Sequence, residues 1–163
     1  MSGKRCFFVG HRETPDALLP AIQCAVEKVI TEYGVNEFVV GHYGNFDRLA
    51  ASAVIAAKRN HPGVSLLMLL PYHPSESPVT LLNGFDGTYY PTGMETVPRR
   101  YAIIKANRHA VDNADCLIAY AVHTASNARK LLEYAYRREK KRLVSVLNIK
   151  PCAHNEFNCF CTK

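Results

Sequence analysis

Apolar residues along this chain alternate between short unbroken runs and longer stretches with one apolar residue every three or four positions. Short unbroken runs are typical of strands that are buried on both faces of a sheet. Helical spacing is clear in 16–33, where Leu18, Ile22 and Val29 fall on one face. The pattern predicts strands at 5–9, 37–40, 64–70, 116–120 and 143–147, and helices at 16–33, 46–59, 99–113 and 125–141.

Strands that alternate with helices predict an α/β fold, with a mostly parallel five-stranded sheet and helices on both faces. Right-handed crossovers bring the carboxyl ends of such strands to one edge of the sheet. Segments 10–12, 41–47, 71–72 and 121–127 each follow a predicted strand end. We therefore expect these four segments to converge and to form the ligand site.

Residues 1–149 contain no linker, repeat or low-complexity tract, and 163 residues suffice for one domain with a core. We expect a single domain there, followed by a Cys-rich tail at 150–163. Within the domain, 71–98 differs from the rest because it carries five prolines and three glycines. A long irregular segment of this kind is usually functional or mobile, and we expect it to act as a lid.

The segment Gly41-His42-Tyr43-Gly44-Asn45-Phe46-Asp47 joins a predicted strand to a predicted helix. Glycine at such a turn allows unusual backbone angles and close approach to a ligand. The helix N-terminus behind it offers unpaired N–H groups to a phosphate. Gly41 and Gly44 are therefore candidate binding residues. Asp47 either caps the helix or accepts a hydrogen bond from a ribose hydroxyl or a base amine.

Two polar residues directly follow the first predicted strand. Arg12 can bind a phosphate or carboxylate through its forked guanidinium, or it can pair with Glu13 or Asp16 on the surface. His11 can donate a hydrogen bond to a ligand or carry a proton, or it can simply cap the turn. The sequence leaves both pairs of alternatives open.

The last two predicted helices supply further candidates. Arg108 shares a helix face with Lys105, and either can reach an anionic ligand or belong to a solvated face. Ser126 and Asn127 precede the final helix, where they can cap it or bind phosphate. Glu133 lies two turns further on and is the candidate general acid or base. A salt bridge to an arginine on the same helix is the simpler alternative for it.

The six cysteines fall into two groups. Cys6, Cys24 and Cys116 lie in apolar periodic segments, where free cysteine behaves as a small hydrophobic residue. The others lie in the last dozen residues, where a disordered tail is the ordinary expectation. The alternative is a tetrahedral zinc site of non-standard spacing built from Cys152, His154, Cys159 and Cys161. No cofactor is predicted.

The formal net charge of +6 is concentrated in the basic residues of 129–142. A solvated helix face is the ordinary interpretation of such a run, and a polyanion-binding face is the alternative. No apolar run approaches the roughly 20 residues that cross a bilayer. Because the N-terminus also lacks a secretory signal, we expect a cytoplasmic protein without a membrane partner.

Five segments, in the right order, resemble motifs of one family, the YpsA-like branch of the SLOG superfamily. The first segment, 6–12, reads CFFVGHR and resembles the "CFTGHR" opening of that branch. The resemblance covers about residues 5–149. The other segments are 41–47, similar to "SGxxxGxD"; 68–72, similar to "xIPF"; 107–115, similar to "RNRxMVDxSD"; and 126–135, at the place of "GGTAxTxxYA".

This resemblance implies a Rossmann-like domain that binds a nucleotide or a nucleotide-derived signalling ligand, and it is compatible with a homo-oligomer. It implies that the glycine turn and the start of the last helix hold phosphate, that Arg12 neutralises charge, and that Asp47 holds a ribose or base. The implied binding residues are Gly10, His11, Arg12, Gly41, Gly44, Asp47, Tyr72, Arg108, Ser126 and Asn127.

A second function follows from the LOG-type phosphoribohydrolases, which are relatives that cleave the base from a nucleoside monophosphate. Glu133 matches the glutamate of their "PGGxGTxxE" loop by position. Ser126 and Asn127 replace the paired glycines of that loop, and Ala106 stands at the position of the upstream arginine. The sequence therefore favours binding alone. An N-glycosidic-bond hydrolase using Glu133 and Arg108 is the alternative, and a nucleic-acid-binding protein is the weaker alternative.

Overall fold

The protein is an α/β domain with one main sheet of six parallel strands. The computed structural model describes residues 3–151 and 157–158. The strands are β1 (Lys4–Gly10), β2 (Val35–Val40), β3 (Ser65–Leu69), β4 (Gly87–Tyr89), β5 (Cys116–Tyr120) and β6 (Ser145–Asn148). Their spatial order is β4-β3-β2-β1-β5-β6. The predicted fold class is confirmed, with six strands in place of five.

Helices cover both faces of this sheet, as the sequence predicts. Short 3₁₀ turns precede the first and third helices, at positions where the sequence pattern predicts that the α-helices already begin. Pro15 and Pro98 stand directly before these turns. Because proline disfavours α-helical backbone in the residue that precedes it, helical structure is not expected to extend to earlier residues. The helices are α1 (Leu19–Thr31), α2 (Asn45–Lys58), α3 (Ala102–Asp112) and α4 (Asn127–Lys140).

The central strand β1 belongs to two hydrophobic cores at once. Cys6 and Phe8 are buried with the apolar faces of α1 and α2. Phe7 and Val9 point to the opposite face, where they are buried with α3 and α4. Alternate side chains of a strand point to opposite faces, so an unbroken apolar run is what a strand between two layers requires.

The order of the strands creates a crevice beside β1. Strands β2, β3 and β4 extend from one side of β1, and β5 and β6 extend from the other. The crossovers therefore leave β1 and β5 in opposite directions. Open α/β sheets bind their ligands at such a switch point, outside the carboxyl ends of the strands. Here this point lies between Gly10 and Tyr120, which are register partners at the ends of β1 and β5.

The strand β4 lies inside the segment 71–98, which the sequence pattern predicts to be irregular throughout. It is three residues long, contains Gly87 and, among the described strands, pairs with β3 alone, at the edge of the sheet. Its side chains are exposed or partly exposed. An edge strand of this kind needs no apolar run, and hydropathy therefore gives no signal for it.

The remaining sequence expectations concern the cysteines and the tail. Cys6 and Cys116 are buried as predicted, but Cys24 is exposed on α1, so the prediction for it is wrong. Lys150–Pro151 and Phe157–Asn158 form a small antiparallel pair, β7 and β8. No helix within the described ranges is long and apolar enough to cross a membrane. The zinc candidates lie outside the described residues: Cys152, His154, Cys159 and Cys161.

Candidate ligand-binding site

A cavity of about 520 Å³ opens at the carboxyl end of β1 and extends between α3 and α4. Small-molecule sites usually have volumes of about 300–1,000 Å³. Its floor is apolar and includes Phe7 and Val9 of β1. We call this cavity the basic groove, because four of its lining side chains are cationic: Arg12, Arg108, Lys130 and Arg137.

Two of the predicted glycines let the β2–α2 turn lie very close to neighbouring atoms of the groove wall. A Cβ at Gly44 would lie 2.6 Å from the Cα of Arg12, and a Cβ at Gly41 would lie 2.9 Å from a carboxylate oxygen of Asp47. Small size is therefore what these positions require. The prediction that they need unusual backbone angles is wrong, because the glycines with positive φ in the described ranges are Gly34, Gly84 and Gly93.

Gly10, at the end of β1, makes the tightest of these contacts. A Cβ there would lie 2.1 Å from Cγ of Phe46, whose ring is almost fully buried in the core beside Phe8. Gly10 also lines the basic groove. The residue thus joins the site to the hydrophobic core that α2 forms with the sheet.

His11 ties the end of β1 to the loop that follows β5. Its Nε2 accepts hydrogen bonds from the backbone N–H of Val122, at 2.8 Å, and of His123, at 3.2 Å. Two donors at Nε2 require that this nitrogen is unprotonated, so the neutral ring carries its proton on Nδ1. Burial, assisted by the neighbouring His123, lowers the pKa of His11. Through these two hydrogen bonds His11 holds the loop after β5 in position. Only its Nδ1–H remains to donate a hydrogen bond to a ligand.

We expect His11→Ala to lower the free energy of unfolding by about 1–2 kcal/mol, because two partly buried backbone N–H groups lose their acceptor. His11→Gln retains an acceptor oxygen and should lose less. The depressed pKa means that the folded state binds fewer protons than the unfolded chain. The contribution is complete above the ordinary histidine pKa of about 6.5 and is lost as the pH falls through the lower pKa of the folded state.

Urea unfolding at pH 8 and pH 5.5 measures both effects of His11. The wild-type protein should lose more stability between these two pH values than His11→Ala does. An alanine variant with the wild-type pH dependence would contradict the assignment, since the titration would then belong to another group.

Asp47 is a partly buried carboxylate that lines the groove from the first turn of α2. Its Oδ2 accepts a hydrogen bond from the backbone N–H of Tyr43 at 3.1 Å. Burial raises its pKa to about 6, against a smaller opposing effect of that hydrogen bond. No lysine or arginine of the described chain forms an ion pair with it. Asp47 is thus ionised at neutral pH without a cationic partner.

The four cations of the groove also lack a carboxylate partner within the described residues. Arg12 is exposed, and Asp16, its predicted alternative partner, pairs instead with Arg48 at 2.7 Å. Among the residues that the structure describes, no carboxylate lies within ion-pair distance of Arg12 or of the other three. Unneutralised cations beside an apolar floor form a site that favours an anionic ligand.

The N-terminus of α4 adds uncharged donors at the same end of the groove. Ser126 caps the helix, with its hydroxyl accepting from the backbone N–H of Arg129 at 3.1 Å. Asn127 and Ala128 line the groove, and their backbone N–H groups have no acceptor in the described structure. Free N–H groups at a helix N-terminus bind phosphate readily. Asn127 therefore lies in the groove. Ser126 caps α4, which is the alternative role predicted for it.

Besides Ser126, two other predicted residues do not line the groove. Glu133 is exposed on α4 and pairs with Arg129 at 3.4 Å, outside the residues that line the groove. This is the salt bridge that the sequence offers as its alternative role. Tyr72 lines a neighbouring depression of about 260 Å³, where Arg99 stacks over its ring at 4.2 Å.

Sequence reasoning missed several groove residues. Tyr134 and Arg137 lie on the same face of α4 as Asn127 and Lys130, at helical spacing. This periodicity is a signal in the sequence, but it is not found by looking at the residues that follow strands. Tyr43 lines both the groove and the neighbouring depression. Within the described ranges, no group of three His, Cys, Asp or Glu side chains could hold a metal ion.

Taken together, the strand order and the site define a Rossmann-like α/β domain with a basic ligand-sized cavity at its switch point. No family model and no curated protein matches the chain. The fold is similar to the X-ray structure of DNA processing protein A (DprA) from Streptococcus pneumoniae, with a TM-score of 0.64 and 15% sequence identity. The match covers 93% of this chain and 52% of that chain, so this chain spans about half of that protein. At this identity the likeness concerns the fold.

Proposed function

We propose that the protein is a SLOG-type domain that binds a nucleotide or a nucleotide-derived signalling ligand in the basic groove. The observation that carries this proposal is the set of four unpaired cations around one ligand-sized apolar cavity. The motif resemblance of residues 5–149 supports it, as does the likeness in fold to DNA processing protein A, a SLOG family member.

The chemistry of the groove fits the parts of a nucleotide. Arg12 and the free N–H groups of Asn127 and Ala128 supply charge and hydrogen bonds for a phosphate. Asp47, which is ionised at pH 7, accepts hydrogen bonds from ribose hydroxyls or a base amine. The ring of Tyr43 and the apolar floor offer surface for the base.

The position of Glu133 favours binding over hydrolysis. An N-glycosidic-bond hydrolase needs its acid or base within hydrogen-bond reach of the reacting atoms. Glu133 is paired with Arg129 on the outside of α4, and Asp47 is the carboxylate that lines the groove. Turnover would therefore have to use Asp47, and the release of free base from a nucleoside monophosphate tests it directly.

Native mass spectrometry of the purified protein is the first test of the proposed function. We expect an additional mass of a few hundred daltons that is lost on unfolding, or binding of added nucleotides when the protein is purified empty. The spectrum also reports the number of subunits and any bound zinc.

Substitution of Arg12 then assigns the bound ligand to the groove. Arg12→Gln should weaken nucleotide binding about tenfold, because it removes a charge-assisted hydrogen bond. Arg59→Gln, an equal change of charge at an exposed position that does not line the groove, should bind as the wild type does. Equal losses in both variants, or no binding of any nucleotide, would overturn the proposal. Oligonucleotide binding that weakens steeply with salt would instead support the nucleic-acid alternative.

A further inference from the structure

The basic groove holds a second concentration of positive charge, apart from Arg12 at the end of β1. Two guanidinium groups share the ring of Tyr134, with Cζ of Arg108 at 4.2 Å and Cζ of Arg137 at 5.8 Å from the ring centroid. All three residues line the groove. We call them the Tyr134 cluster. Both arginines are exposed, and their contacts with the ring favour positions in which the two positive charges lie close together.

The nearby carboxylate of Asp112 is already engaged. Asp112 accepts a hydrogen bond from the hydroxyl of Tyr134 and forms an ion pair with Arg138 at 3.2 Å. In the described part of the chain, neither Arg108 nor Arg137 has a carboxylate within ion-pair distance. Two like charges beside one ring repel each other, and an anion bound between them would remove that repulsion.

The two positive ends of the groove are separated along α4. Tyr134 lies two helical turns, or about 10 Å, beyond Asn127. Between them the helix contributes the cation Lys130 and the apolar Leu131 to the lining, so the middle of the groove offers one positive charge and an apolar surface. A single phosphate at the β1 end therefore leaves the Tyr134 cluster unneutralised.

We infer that the ligand carries phosphate groups on two sides of its nucleoside, as in a ribonucleoside 3′,5′-bisphosphate. One phosphate binds at Arg12 and the N-terminus of α4, and the other binds at the Tyr134 cluster. This inference rests on the proposed function, since it specifies the class of nucleotide that the same groove accepts.

Calorimetric titration with paired nucleotides tests this inference. The probes are the ribonucleoside 5′-monophosphates and the matching 3′,5′-bisphosphates of adenine, guanine, cytosine and uracil. For the preferred base, the bisphosphate should bind at least about tenfold more tightly than the monophosphate, because charge-assisted contacts at the second site are added.

Variants of the Tyr134 cluster test whether the preference for the bisphosphate arises from this cluster. Arg137→Gln and Arg108→Gln should each reduce the ratio of the two dissociation constants to about threefold or less. Lys140→Gln removes one charge from an exposed position of the same helix that does not line the groove, and it should keep the wild-type ratio.

The outcomes separate this inference from the proposed function. If a monophosphate binds and the bisphosphate binds no better, the inference is overturned and the proposed function stands. A preference that survives in both arginine variants, or that falls equally in Lys140→Gln, also overturns it. Failure of every nucleotide to bind overturns the proposed function, and the inference fails with it.

Discussion

Asp47→Asn is expected to stabilise the protein at pH 8 by about 2 kcal/mol, which would raise the melting temperature by roughly 4–8 °C. Burial raises the pKa of Asp47 from 3.8 to about 6, so its ionised form is less stable in the folded protein than in the unfolded chain. Asparagine keeps an acceptor for the backbone N–H of Tyr43 and removes the charge. A residue that lowers stability in this way is typical of a functional site.

The pH dependence of the Asp47 effect identifies its cause. Because the raised pKa lets the folded state bind more protons, the penalty is absent below the ordinary aspartate pKa and grows as the pH rises through 6. Thermal unfolding of Asp47→Asn and wild type should therefore give nearly equal melting temperatures at pH 4 and well-separated ones at pH 8. The same substitution should weaken nucleotide binding, since it removes a charged acceptor from the groove.

Asp86→Asn is the matched control for this prediction. Asp86 forms an ion pair with Lys58 at 2.6 Å, and the hydrogen bond from Lys58 lowers its pKa. Its substitution should therefore destabilise the protein at pH 8, in the opposite direction to Asp47→Asn. Stabilisation by both changes would mean that the gain does not depend on the burial of the carboxylate, and the interpretation of Asp47 would be wrong.

Gly10→Ala is expected to destabilise the protein by at least about 3 kcal/mol, or roughly 10 °C in melting temperature. The new methyl group would lie 2.1 Å from Cγ of Phe46, which is the part of the ring nearest its own backbone. Phe46 is 1% exposed and packs edge to face against Phe8, with ring centroids 6.4 Å apart, so relief of the contact requires a shift of this ring or of α2.

Thermal unfolding compares this variant with Gly63→Ala, where nothing lies within 4 Å of an added Cβ. The control should change the stability by less than about 1 kcal/mol. In the background Phe46→Ala, which removes Cγ and the ring, the added cost of Gly10→Ala should fall, because the contact can no longer form. A wild-type melting temperature for Gly10→Ala would mean that the ring yields easily, and Gly10 would then have no packing role.

The fold was predictable because its main elements are coded locally. Phe7, Phe8 and Val9 form an unbroken apolar run since β1 lies between two helical layers, and any strand in that position needs the same pattern. The edge strand β4 has no such requirement. Its position depends on pairing with β3, which is a tertiary contact that three mixed residues cannot encode.

The sequence predicts the groove residues that lie just after strand ends. It does not predict those whose position depends on how a helix packs on the sheet. Arg12, Asp47 and Asn127 were found because the carboxyl ends of parallel strands converge. Tyr134 lines the groove and Glu133 does not, although they are neighbours in sequence. One residue turns a helix by about 100°, and only the packing of α4 on the sheet decides which of the two faces inward.

The central place of β1 has a consequence for how the chain is made. On the ribosome, residues 4–89 can form the part of the sheet with the order β4-β3-β2-β1, but the other edge of β1 stays unpaired until residues 116–120 emerge. Phe7 and Val9 lack their full helical cover until α3 and then α4 have also been made. Exposed apolar strand edges are where nascent chains aggregate or bind chaperones. The groove is lined by α3 and α4. A nascent chain can therefore bind the ligand there only after the ribosome has made residues up to the end of α4.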